Sequence, residues 1–115
     1  MQSKETQEII YQIIDDAKAQ DIIVLDIRNI SDIADYMVIA SGTSARHVSS
    51  VADKLVDKMK EQGRRPLGLE GKETGEWVLV DYGDVIVHIM RPEARQFYNL
   101  EKLWGGDEAH GIAES

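Results

Sequence analysis

The 115 residues predict an α+β fold: one mixed sheet of about five strands flanked by three helices. Three observations lead there. Apolar residues recur at helical spacing in two separate stretches. Short runs of period two, or of unbroken apolar character, lie between and after them. A Gly-Asp dipeptide splits two such runs as a hairpin turn would. The resulting order, α-β-β-α-β-β-β-α, closes around one core when the helices pack on a single sheet. One domain over residues 1–105 fits this length, and the polar stretch 106–115 is expected to be a disordered tail.

Ile9, Ile10, Ile13, Ile14 and Ala17 mark an amphipathic helix over about residues 4–19. From Ile22 to Ile27 the period drops to two. Ile23, Leu25 and Ile27 share one face, and Asp26 and Arg28 lie on the other, as in a half-buried strand. Tyr36-Met37-Val38-Ile39-Ala40 is apolar on both faces, which suits a covered central strand. Ser41-Gly42-Thr43-Ser44 then breaks the strand and offers hydroxyls for a helix N-cap. Val48, Val51, Ala52, Leu55, Val56 and Met59 follow on one helical stripe, and Gly63 is placed to end it. Pro66 to Leu69 is a short strand. Pro92 opens a last helix, through residues 93–104, with Ala94, Phe97, Leu100, Leu103 and Trp104 on it; Gly105-Gly106 stops it.

Trp77 to Tyr82 and Val85 to Met90 form the hairpin. With Gly83-Asp84 as a type II′ loop, 82 pairs with 85, 80 with 87 and 78 with 89. Val78, Val80, Tyr82, Val85, Val87 and Ile89 then share a core face. The other face sets Trp77 against Met90, Leu79 against His88 and Asp81 against Ile86, with Glu70, Glu73, Glu76 and Asp84 near enough to rim it. An aromatic anchor inside a polar rim is the composition of a protein-binding patch. Alternatively, the last helix covers this face and makes Trp77 a core residue.

Composition excludes several classes. There is no cysteine, so disulfides and thiolate metal sites are out, and a reducing compartment such as the cytoplasm is expected. No apolar run approaches the roughly 18 residues of a membrane span, and the polar start of the chain has no signal-peptide core. Thirteen Lys and Arg against 21 Asp and Glu give a net charge of −8. Arg64–Arg65 is too small a basic patch for a phosphate backbone, so no sequence-specific nucleic-acid binding is expected. An acidic surface favours a basic partner, and on composition alone it equally serves solubility. His47, His88 and His110 lack metal-ligand spacing, and no cofactor is expected. His88 reads as a hydrogen-bonded residue on a sheet face. The Ser41–Ser44 loop could hold a phosphate on backbone N–H groups, but it lacks the Gly-Lys-Ser/Thr ending of a P-loop. No carboxylate pair follows to hold the metals of nucleotidyl transfer.

In order, these segments resemble the ribosomal silencing factor family, also called the Iojap family. The resemblance runs over about residues 5–105. It rests on Asp26-Ile27-Arg28, the stretch from Ser31 to Val48, Glu70-Gly71, the stretch from Trp77 to His88, and that from Arg95 to Trp104. It implies a nucleotidyltransferase-like fold without the catalytic carboxylates, and no enzymatic activity. It further implies binding to the large ribosomal subunit through its basic fourteenth ribosomal protein, blocking the small subunit and repressing translation when nutrients are scarce. A homodimer, or a role in large-subunit assembly, is also implied for members. By similarity the contact falls on Glu70, Trp77, Leu79, Asp81, Tyr82 and Asp84. Ser31, Asp35 and Tyr36 are expected to shape a turn, and Arg46 and His47 to serve the fold. A phosphate-binding enzyme using the Ser41–Ser44 loop is the remaining alternative.

Overall fold

A computed structural model describes residues 2–99 and residue 102, with the backbone alone for Phe97 and Tyr98. The elements are α1 (Ser3–Asp16), β1 (Gln20–Asp26), β2 (Tyr36–Ser41), α2 (Ala45–Glu61), β3 (Gly68–Glu70), β4 (Trp77–Asp81), β5 (Val85–Met90) and α3 (Pro92–Tyr98). They form one five-stranded sheet in the order β1-β2-β5-β4-β3. β2 and β5 run parallel, and the other neighbours are antiparallel. This is the mixed sheet with three helices that the sequence predicts.

α1 and α2 pack side by side on one face. Their stripes, Ile10 and Ile14 with Val48, Val51, Leu55 and Met59, meet Val38 and Ala40 of β2, Val78 and Val80 of β4, and Val87 and Ile89 of β5. Each fully buried aliphatic side chain here contributes about 1.5–3 kcal/mol. The opposite face carries a second cluster: Leu25 and Ile27, Ala34, Met37 and Ile39, Ile86 and Met90, with Ile23, Trp77, Leu79 and Ala94 packed at its margin. Ile23 and Leu25 of β1 and Ile27 just after it thus lie on one side, as the period of two predicts.

Helix ends differ from expectation for local reasons. α1 stops at Asp16 rather than near residue 19, because Lys18 turns left-handed (φ 73°). The N–H groups of Lys18 and Ala19 then close on the carbonyls of Asp15 and Ile14, both at 2.9 Å. Glycine usually holds that position, and with lysine there the sequence carries no stop signal. α2 closes the same way: Gly63 N–H bonds the Lys60 carbonyl and Arg64 N–H that of Met59, both at 2.9 Å. α3 ends at Tyr98, with Asn99 left-handed (φ 50°), instead of running unbroken to 104; asparagine tolerates that conformation. Leu100, Leu103, Trp104, the Gly105-Gly106 stop and the 106–115 tail lie outside the described residues. β3 sits slightly later than Pro66–Leu69 because Pro66 has no N–H to give. Pairing begins with the Leu67 N–H on the Asp81 carbonyl at 2.7 Å.

The loop between β3 and β4 is fastened to α2. Lys72 pairs with Asp53, and Ser49 Oγ donates to the Lys72 carbonyl at 2.8 Å. Its first residue, Gly71, has φ 87°, and a Cβ there would run into the Trp77 carbonyl oxygen. Gly71→Ala is therefore expected to cost about 2 kcal/mol or more. In Gly68→Ala the added carbon meets only Asp81 Cβ at 3.8 Å, and stability should stay within about 1 kcal/mol. Urea unfolding of the two variants against the parent measures the difference.

Candidate functional site

The hairpin forms in the expected register. Val80 faces Val87 and Val78 faces Ile89, with Trp77 opposite Met90, Leu79 opposite His88 and Asp81 opposite Ile86. Gly83 takes φ 89° at the turn, and the Tyr82 N–H reaches the Val85 carbonyl at 2.9 Å. The outer face is neither open nor sealed. On β5, a central strand, Ile86, His88 and Met90 are all buried. On β4, Trp77, Leu79 and Asp81 are half-buried. β4 is flanked on its outer side only by the three residues of β3. Trp77 and Leu79 line a shallow depression of about 240 Å³ with Glu70 and Gly71.

A buried polar contact holds the tryptophan. Trp77 Nε1 donates to His88 Nδ1 at 2.9 Å, and the rings lie 5.8 Å apart at a 49° tilt. With Nδ1 accepting, the neutral ring carries its proton on Nε2. His88 is 5% exposed. Burial pushes its pKa down to about 4, so the imidazole is uncharged at neutral pH.

The acidic residues expected around this face divide. Glu70 and Glu73 are exposed and make no ion pair among the described residues. Glu76 pairs with Arg91 at 3.3 Å. Asp81 is turned inward to the loop, its Oδ1 accepting the Gly83 N–H at 2.7 Å. Asp84 is already matched: Arg64 Nη2 donates to its Oδ1 at 3.0 Å and to the Tyr82 carbonyl at 2.9 Å, while Nη1 reaches Thr6 Oγ1 at 3.2 Å. Tyr82 departs from the expected grouping. It belongs to the core on the α1/α2 face, is 3% exposed, and burial pushes its hydroxyl up to about 12, with Arg64 pulling the other way. Strand alternation places it opposite Trp77 and Leu79 in orientation, so its side chain cannot share their surface. In the sequence Arg64 stands out only as half of a small basic pair; a contact across 20 residues leaves no periodic trace.

The family model described as "Ribosomal silencing factor during starvation" matches residues 1–114. The chain belongs to this family. The ribosomal silencing factor of Chromobacterium violaceum is 42% identical over 108 residues, 94% of this chain and 88% of that one. A crystal structure of a Chromobacterium violaceum protein superposes with a TM-score of 0.90 at 42% identity, covering 94% of this chain and 90% of the other. A mouse protein named "Mitochondrial assembly of ribosomal large subunit protein 1" is 40% identical over 89 residues, 75% of this chain and 39% of its own length.

In this chain, the Ser41–Ser44 loop makes most of its hydrogen bonds internally. Gly42 N–H bonds the Met90 carbonyl at 3.0 Å, Thr43 N–H bonds His47 Nδ1 at 2.9 Å, and Ser44 Oγ caps α2 on the His47 N–H at 3.1 Å. His47 Nε2 in turn donates to the Ala17 carbonyl at 3.0 Å, tying α2 to the end of α1. Buried Arg95 donates to Ser41 Oγ at 2.9 Å. A Cβ on Gly42 would lie 2.6 Å from Val48 Cγ2, so the glycine serves close strand–helix packing. The loop's geometry is that of a helix cap, with the Gly42 and Thr43 N–H groups already bonded within the fold.

His88 has a consequence for acid stability. Its pKa of about 4 lies below the 6.5 of the exposed ring, so its contribution is complete above about pH 6.5. It is lost as pH falls toward 4, because only the unfolded chain takes up the proton. Urea unfolding between pH 7 and about 4.5 should show the parent losing roughly 2 kcal/mol more than His88→Asn. Parallel curves would place the titration elsewhere.

Proposed function

We propose that the chain binds the large ribosomal subunit through the β4–β5 face and sterically keeps the small subunit from joining, so repressing translation under nutrient limitation. The half-buried pair Trp77 and Leu79, beside Glu70 at the depression, carries this reading. A partly exposed indole next to unpaired acid is what a basic protein surface with an apolar recess accepts. Family membership supports the ribosome as the partner, and the family resemblance points to the basic fourteenth protein of the large subunit. No covalent step is involved; occupying the surface is sufficient. Asp81 and Asp84 contribute by holding the turn, and Tyr82 by supporting it from the core side. Action in the cytoplasm as a monomer or homodimer completes the proposal.

The mouse relative's name favours a second reading, in which the chain assists large-subunit assembly. Binding only to immature large subunits would support that reading over silencing.

Sedimentation with purified subunits tests the main proposal. The parent should travel with the large subunit and reduce joined particles. Trp77→Ala should bind at least about tenfold more weakly, as loss of a central aromatic anchor does, while circular dichroism shows it folded. Glu70→Lys should weaken binding by less, mainly through slower association. A protein that stays at the top of the gradient, or undiminished subunit joining at saturation, would sink the proposal.

A further inference from the structure

We propose that His88 is the positioning residue of this face: its Nδ1 holds the Trp77 indole so that the anchor meets the partner already oriented. This rests on the reading that the face binds the large subunit.

Every residue of β5 is buried, and the strand reads Val-Ile-Val-His-Ile-Met. One imidazole among five apolar side chains is a poor choice for packing alone, since a buried ring nitrogen without a partner is destabilising. What histidine supplies that leucine cannot is an acceptor aimed in one direction. That acceptor is used: the 2.9 Å bond from Trp77 Nε1 is within the range of a well-formed hydrogen bond. The base is rigid, because His88 is set between Leu79 of β4 and Ile39 of β2 in the sheet register.

Trp77 pairs with Met90, so His88 is its diagonal neighbour on the same face. Aromatic side chains reach across that diagonal. Tethering the N–H edge to the strand turns the hydrocarbon edge of the indole away from His88. A partner can then receive that edge in an apolar recess with no acceptor required for the N–H. Pre-setting the rotamer also removes an ordering step from binding, which for one rotamer-rich side chain weakens affinity by about two- to tenfold.

The test is a double-mutant cycle on affinity for purified large subunits, with the bond read separately by NMR. In ¹⁵N-labelled protein without ribosomes, Trp77 Nε1 should show through-bond coupling to His88 Nδ1; its absence overturns the proposal. His88→Leu should weaken binding about tenfold. His88→Asn, whose amide oxygen lies near the Nδ1 position, should stay within about threefold. In a Trp77→Phe background, which has no N–H to hold, His88→Leu should change affinity less than twofold. Equal losses in both backgrounds would mean that His88 only supports the fold, and the positioning role would fall. So would an unchanged His88→Leu, or an Asn variant as weak as Leu. Should His88→Leu fail to fold, His88→Asn against His88→Gln decides, the glutamine being expected to bind more weakly because its amide extends past Nδ1; equal affinities overturn the proposal. A parent protein that binds no large subunit removes the proposed function and this role together, whereas a parent that binds without coupling removes only the role.

Discussion

β2 and β5 lie side by side in parallel at the centre of the sheet, and every residue on both is buried. Two adjacent strands with apolar side chains on both faces require cover above and below. α1 and α2 supply it generously on one side. On the other side the cover is thin, made from Leu25 and Ile27 of the β1 edge, Ala34 ahead of β2, and Ala94 of α3. Among the described residues it is sufficient over β2 and β5 and thins over β4. Trp77 and Leu79 are half-open because of where that cover stops. The candidate binding face is therefore a margin of the second core cluster, stiffened from beneath by the same residues that satisfy the central strands.

Charge works at a different scale. The net charge of −8 suggests an acidic surface throughout, but the acids nearest the hairpin have separate duties. Arg64 takes Asp84, Arg91 takes Glu76, and the backbone of the turn takes Asp81. Glu70 is left beside the depression, and Glu73 is exposed on the loop between β3 and β4. Exposed pairs contribute on the order of 0–1 kcal/mol, so these two carboxylates suit steering and orientation. Under the proposed function, most of the binding free energy would come from apolar contact at Trp77 and Leu79.

Much of this was legible in the residues. The α2 stripe ends in glycine, and the Gly83-Asp84 loop set the hairpin register pair by pair. What escaped had no local signature. Lys18 adopts the conformation a glycine would announce, so the end of α1 went unseen. Asn99 broke a helix whose apolar spacing continued past it. Strand alternation sends Tyr82 to the core and the resemblance sends it to the partner; its burial follows alternation. Whether the outer face was covered depended on Ala34 and Ala94, small residues whose contribution is position rather than bulk. Arg64 gathering Thr6, Tyr82 and Asp84 requires the fold itself, since its partners lie up to 58 positions away.

An indole at such a margin is subject to opposed demands. Fully exposed, it would enlarge an apolar patch that invites unspecific association; fully covered, it would offer a partner nothing. Sheet position alone leaves that balance loose, because a side chain on an outer strand has several staggered rotamers available. An acceptor one diagonal away narrows the choice, and it is effective because it belongs to a fully buried strand paired on both sides. The same burial that holds His88 neutral keeps Nδ1 able to accept at neutral pH, so anchor orientation and core integrity depend on one side chain. In the proposed function, a surface built this way needs no moving part to recognise its partner: specificity would reside in a shape set when the sheet closes.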